Sequence, residues 1–222
     1  RPFLDHVITA LADAGITDIC LVIGPSHDVI REYYEQVEKS RVRIHFAIQQ
    51  TPLGTADAVA AAREFCGSDR FVAINSDNYY PAPELGQLVT LPGCGALGFD
   101  PEALVSKGNI AADRVSAYAV MTREAGKLAQ IIEKPDPKTL ASLGEVLVSM
   151  NCWLFDASIF TAISQIDKSA RGEYEIVDAV RQAISDGNPF DVVPVHSACL
   201  DLSNRGDIAS VAAALESHEV RL

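Results

Sequence analysis

The chain has 222 residues, 48% hydrophobic and 22% charged, enough for a full hydrophobic core and best read as a single domain over 1–222. Its net charge of -12 argues against a nucleic-acid partner, which needs basic surface. No apolar run approaches the roughly 20 residues that span a bilayer, so no membrane partner is expected.

In chain order, Leu4, Val7, Ile8 and Leu11 recur at helical spacing, which predicts a helix from Phe3 to Ala14. Asp18 to Ile23 reads as a buried strand, and Ser26 as the cap of a helix from His27 to about Val37. Arg41 to Gln49 alternates apolar and polar residues, the pattern of a strand. Gly54 to Cys66 is Ala-rich and reads as one helix, followed by a strand from Phe71 to Ile74. This α-β-α-β-α-β order predicts a parallel sheet with right-handed crossovers. After Tyr80 the pattern loosens. Short elements are expected at Pro83–Val89 and Ala96–Phe99, and a hairpin joins Val115–Met121 to Leu128–Glu133. Leu147–Phe155 and Phe190–Val195 read as strands, and Ala157–Ile166, Glu173–Asp186 and Gly206–Ser217 as helices.

Five cysteines, Cys20, Cys66, Cys94, Cys152 and Cys199, form no C-x-x-C pair and read as reduced thiols of a cytoplasmic protein. The five histidines show no metal-ligand spacing.

The run Phe71-Val72-Ala73-Ile74 stops at Asn75-Ser76-Asp77-Asn78. A short apolar run bounded by turn residues reads as a central strand buried on both faces, with its polar cluster at the carboxyl end. Open α/β sheets bind ligands at that edge, and a carboxylate there suits Mg²⁺ and, through it, phosphates. As a plain turn the same residues would simply be solvated. Gln49-Gln50-Thr51-Pro52-Leu53-Gly54-Thr55-Ala56 lies between a strand end and a helix start. There Gly54 permits a close approach to a flat ligand, and Gln49 can donate to and accept from a nucleobase edge.

These residues resemble the sugar-phosphate nucleotidyltransferases, in the manner of glucose-1-phosphate thymidylyltransferases and uridylyltransferases. Pro52-Leu53-Gly54-Thr55-Ala56 is similar to the family's base-binding loop, which places Gln49, Gly54 and Thr55 on the nucleotide. Asn75-Ser76-Asp77-Asn78 resembles its metal-binding segment, usually Gly-Asp-Asn, with Ser76 in the place of Gly. The resemblance makes Asp77 a metal ligand and Asn78 a substrate contact. Ile131-Ile132-Glu133-Lys134-Pro135 is similar to the Glu-Lys-Pro signature, in which the Glu meets sugar hydroxyls and the Lys the sugar phosphate. Asn151 corresponds to a sugar-binding Asn, here followed by Cys152-Trp153 instead of Ala-Gly. Ser169-Ala170-Arg171-Gly172-Glu173 resembles the Arg-Gly-Glu segment, whose Arg holds the sugar phosphate. Leu200-Asp201-Leu202-Ser203 resembles Asp-Ile-Gly-Thr-Pro, which makes Asp201 the second metal ligand, with Ser203 where Gly is usual. Ala119 likewise stands where the family commonly has Gly.

The resemblance implies a Rossmann-like three-layer αβα nucleotidyltransferase (GT-A-like) fold with a mostly parallel mixed sheet. It also implies a nucleotide-binding half, 1–80, and a sugar-phosphate-binding half, 81–222. The implied activity is Mg²⁺-dependent. It joins a nucleoside triphosphate, UTP or dTTP favoured, to a sugar 1-phosphate, and gives a nucleotide sugar and pyrophosphate. Asp77, Lys134, Arg171 and Asp201 would be the catalytic set, and a homo-oligomer is compatible with it. The family's Gly-rich triphosphate loop would lie before Arg1, and no β-helix acyltransferase domain is expected after the closing helix. Two other readings remain open: a non-catalytic nucleotide-sugar-binding regulatory module, and a GT-A glycosyltransferase, although no Asp-x-Asp occurs at this strand end.

Overall fold

The computed structural model describes residues 1–222. The elements in chain order are α1 (Phe3–Asp13), β1 (Asp18–Ile23), α2 (Asp28–Gln36), β2 (Arg43–Ile48), α3 (Thr55–Ala61), α4 (Arg63–Cys66), β3 (Phe71–Ala73), β4 (Asn78–Tyr79), α5 (Ala82–Val89), β5 (Gly95–Phe99) and α6 (Pro101–Ser106). After a 3₁₀ turn at Ala112–Ala117 come β6 (Ala119–Glu124), β7 (Lys127–Ile132), α7 (Pro137–Ser142), β8 (Leu147–Phe155), α8 (Ser158–Ile163), α9 (Ile176–Ser185), β9 (Asp191–Val195) and β10 (Leu200–Asp201). A second 3₁₀ turn, Arg205–Asp207, leads into α10 (Ile208–Leu215). No helix is long and apolar enough to cross a membrane.

The chain divides into two compact units, each assembled from separated segments. One comprises Arg1–Gly15, Val72–Leu154 and Pro189–Arg221, and the other Ile16–Phe71, Phe155–Asn188 and Leu222. The division therefore does not fall between the halves 1–80 and 81–222, because strand pairing joins residues distant in sequence.

In the unit that contains Ile16–Phe71, β1 and β2 run parallel in register from Asp18↔Arg43 to Ile23↔Ile48, as the alternating pattern requires. The Ala-rich stretch is two helices, not one. Ala62 N donates to Val59 O in a tighter turn, which separates α3 from α4. Helix α9 begins at Ile176, later than the sequence predicts, because Tyr174 is held extended: its N donates to Leu53 O and its O accepts from Ala56 N. Phe71 packs on Phe155 and Phe160, with ring centroids 5.8 and 5.5 Å apart.

The other unit is built on a mixed sheet of order β3-β8-β5-β9-β7-β6, in which β6 also pairs with β8. The pair β5–β9 is parallel, and β5–β8, β6–β7, β6–β8 and β7–β9 are antiparallel. All of β5 is buried, and Trp153 of β8 meets Phe190 edge-on at 6.2 Å. Strand β3 ends this sheet, and Phe71 to Ile74 are half-buried instead of enclosed on both faces. The hairpin β6–β7 turns at Ala125 and Gly126, both at positive φ (47° and 80°), which matches a primed turn. Val115 to Ala117 lie in the 3₁₀ turn, so β6 starts only at Ala119.

Leu97, fully buried on β5, fills the centre of this sheet. Leu97→Ala should cost about 2–5 kcal/mol through lost burial and the cavity left behind. Urea denaturation measures it, and a loss well under that range would mean that the site collapses freely.

Candidate active site

Asp201 sits on β10, which pairs antiparallel with β4, so that Asp201 lies opposite Asn78. Asn109 clamps its backbone: Asn109 Nδ2 donates to Asp201 O at 2.7 Å, and Asp201 N donates to Asn109 Oδ1 at 2.8 Å. The side chain is 1% exposed and fully engaged. Its Oδ1 accepts from Ser203 Oγ at 2.5 Å and Asn78 Nδ2 at 3.2 Å. Its Oδ2 accepts from Arg114 Nη2 at 2.5 Å and Tyr118 Oη at 2.7 Å. The other arm of Arg114 donates through Nη1 to Asp207 Oδ1 at 2.9 Å.

Asp77 precedes β4, and its backbone O accepts from Leu202 N at 2.8 Å. Its half-buried carboxylate is reached by the same Ser203 hydroxyl, at 3.4 Å from Oδ2. Two carboxylates 124 positions apart in the numbering thus share one hydroxyl at the rim of this unit. Burial holds the Asp77 carboxyl above its ordinary value, and the nearby Asp201 charge adds to that. The Tyr118 phenol is pushed well up, by burial first and then by its bond to Asp201.

Asn78 is buried and turned inward. Its amide donates to Asp201, and its Oδ1 lies 3.4 Å from Tyr80 Oη, whose one proton is closer to Met150 O, so Asn78 braces the carboxylate instead of facing a ligand. Glu133 and Lys134 are exposed at the end of β7, and Lys134 has φ 43°. Asn151 has φ 54° at an irregularity in β8. There the β5 register passes from Ala96↔Trp153 to Gly98↔Ser149, so Leu97 spans Met150 to Cys152. Such a bulge re-aims a side chain, and Asn151 Oδ1 accepts from Trp153 Nε1 at 3.4 Å.

In the other unit, Gly54 has φ 118°, and a Cβ there would stand 2.4 Å from Tyr174 O. The close approach that demands glycine is therefore to the chain's own backbone. Thr55 Oγ1 accepts from Ile176 N at 2.9 Å and fixes the start of α9. Gln49 Nε2 donates to Asp57 Oδ2 at 2.7 Å and Gly54 O at 3.1 Å. Both partners only accept, which fixes the amide orientation and points its carbonyl oxygen elsewhere. Arg171 Nη2 donates to Glu175 Oε1 at 2.7 Å, beside Gly172 at φ 80°.

Arg114, Tyr118, Ser203 and Asn109 join the site without having been singled out for it in the sequence. Arg114 follows no recognisable spacing, and Ser203 figures there only as a departure from glycine.

A magnesium ion takes oxygen ligands, keeps several waters and is commonly held by one or two carboxylates together with substrate phosphates. The Asp77 carboxylate suits it. Asp201 offers no open lone pair, since each oxygen already accepts two hydrogen bonds.

Residues 1–217 match the nucleotidyl transferase family, and the chain belongs to it. Among its relatives is the low-salt glycan biosynthesis nucleotidyltransferase Agl11 of Haloferax volcanii, 30% identical over 94% of this chain. The UTP–glucose-1-phosphate uridylyltransferase AglF of the same organism is 29% identical over 91% of it. The glucose-1-phosphate thymidylyltransferase of Streptomyces antibioticus is 27% identical over 95%. The chain spans 56%, 79% and 56% of these three proteins, respectively. Its fold is similar to that of a UDP-glucose pyrophosphorylase from Acinetobacter baumannii, with a TM-score of 0.77 at 17% identity over 99% of this chain and 85% of that one. A UDP-glucose pyrophosphorylase complexed with UDP-glucose gives 0.75 at 14% identity, over 99% and 88%. These likenesses show an α/β nucleotidyltransferase fold.

Because the folded state raises the Asp77 pKa, its ionised form opposes folding at neutral pH, and this opposition fades as pH falls through the raised value. Asp77→Asn cannot ionise. It should melt above the unsubstituted protein at neutral pH, with the gap narrowing toward acid; a gap independent of pH in thermal-shift scans contradicts this.

Proposed function

We propose that the chain joins a nucleoside triphosphate to a sugar 1-phosphate, releasing pyrophosphate and forming a nucleotide sugar, with UTP or dTTP as the nucleotide. The observation that carries this reading is the convergence of Asp77 and Asp201 on one Ser203 hydroxyl, in a chain of the nucleotidyl transferase family. Relatives named for uridylyl and thymidylyl transfer to glucose 1-phosphate support the substrate class.

A sugar phosphate is ionised at neutral pH, so its oxygen needs no side-chain base to attack the α-phosphorus in line. The task left to the protein is positioning and charge stabilisation. Lys134, an exposed ammonium on a left-handed backbone, is assigned to the sugar phosphate. Arg171, whose fork also pairs with Glu175, is a further candidate contact for an anionic substrate group. Glu133 and the amide nitrogen of Asn151 are assigned to sugar hydroxyls. Gln49, its Nε2 held by Asp57, presents a carbonyl oxygen that suits the imide N–H of uracil or thymine. A magnesium ion held by Asp77, phosphate oxygens and water would offset the charge of the departing pyrophosphate.

Purified protein, given UTP or dTTP with glucose 1-phosphate and Mg²⁺, should release pyrophosphate in a coupled assay. Asp77→Asn should lower turnover about a hundredfold, on the scale of removing a transition-state contact. Lys134→Ala should raise KM for the sugar phosphate about tenfold, as loss of one charged hydrogen bond implies. Nucleotide-sugar binding without pyrophosphate release with any triphosphate would instead identify a binding module.

A further inference from the structure

We propose that Arg114 occupies the cation position at Asp201, so that this chain binds a divalent ion through Asp77 and not through Asp201. The proposal deepens the reading above and rests on its assignment of Asp77 as an ion ligand.

The geometry is that of a filled site. Arg114 extends from the 3₁₀ turn Ala112–Ala117, and its two terminal nitrogens reach two acidic residues, Asp201 at 2.5 Å and Asp207 at 2.9 Å. A guanidinium stays protonated at any working pH, so this charge cannot be discharged to admit another. Tyr118 Oη takes up the second acceptor position of Asp201 Oδ2, at 2.7 Å. On the other oxygen, Ser203 Oγ and Asn78 Nδ2 complete the shell at 2.5 and 3.2 Å. Asn109 holds the Asp201 backbone from both sides, which fixes the direction of the carboxylate. A divalent ion on Asp201 would have to displace a donor and then lie beside a fixed positive charge. At Asp77 the contacts are its own backbone N–H and the Ser203 hydroxyl, the latter at 3.4 Å with its single proton closer to Asp201. Arg114 thus balances the Asp201 charge, and Asp77 is the carboxylate open to the ion.

The test is Mn²⁺ titration of the full chain without nucleotide, with free Mn²⁺ followed by electron paramagnetic resonance and folding checked by circular dichroism. Asp77→Asn should lose the binding. Asp201→Asn should bind within about twofold of the unsubstituted chain, since it supplies no ligand. Arg114→Ala should bind about tenfold more tightly, as an added carboxylate ligand permits, and the gain should vanish in Arg114→Ala/Asp201→Asn. A tenfold weakening by Asp201→Asn alone overturns the proposal, as does a folded Arg114→Ala protein with no gain. If Arg114→Ala does not fold, the Asp201→Asn comparison decides by itself. Retained binding in Asp77→Asn would overturn the Asp77 assignment of the functional reading, whereas the two Asp201 comparisons report on Arg114.

Discussion

The Asp201 carboxylate, 1% exposed and charged, is the constraint around which one unit is arranged. A buried charge is tolerated only when paired and hydrogen-bonded, and removing one partner of such a pair typically costs about 3–5 kcal/mol. Its four side-chain donors come from four places in sequence: Asn78 on β4, Arg114 in the 3₁₀ turn, Tyr118 just before β6, and Ser203 after β10. Strands β4 and β10 are only two residues each, too short to hold a register unaided. The polar network reinforces that register, and Leu202 N, donating to Asp77 O, ties the Asp77 backbone to the segment after β10.

Three non-glycine residues hold their backbone in an unfavourable region. Ala125, Lys134 and Asn151 are the non-glycine residues at positive φ. Ala125 is explained by its hairpin turn. Lys134 and Asn151 have no turn chemistry to explain them, and strain of about 1–3 kcal/mol persists only where surrounding structure enforces it. Both lie in segments that resemble sugar-phosphate contacts, and in Asn151 the enforcement is visible as the β8 bulge between buried neighbours.

Much of the fold was legible from apolar pattern. The strand Leu147–Phe155 and the hairpin after it in pairing order, β6–β7, follow from continuous apolar runs and an Ala-Gly turn. The short helices α6 and α7, six residues each, are too brief for a periodic signal, although each opens on an Asp-Pro pair whose Asp side chain caps it. Strands β4 and β10 carry too few residues for any periodicity. Asp77, Asn78 and Asp201 stand in recognisable motifs, whereas Arg114, Tyr118 and Asn109 do not. Arg114 and Asn109 act through contacts 87 and 92 residues away in sequence, and no local pattern encodes such a contact. Asn78 shows the converse: the motif marks it as a ligand contact, yet β-pairing with Asp201 turns it inward.

The most direct measure of the Asp201 network is a double-mutant cycle in urea on Arg114→Met, Asp201→Asn and the two together. If the pair is coupled as the geometry requires, the double variant should be less destabilised than the sum of the single variants, by about 1–3 kcal/mol. Additivity within about 0.5 kcal/mol would mean that Arg114 and Asp201 act independently, and would contradict the account.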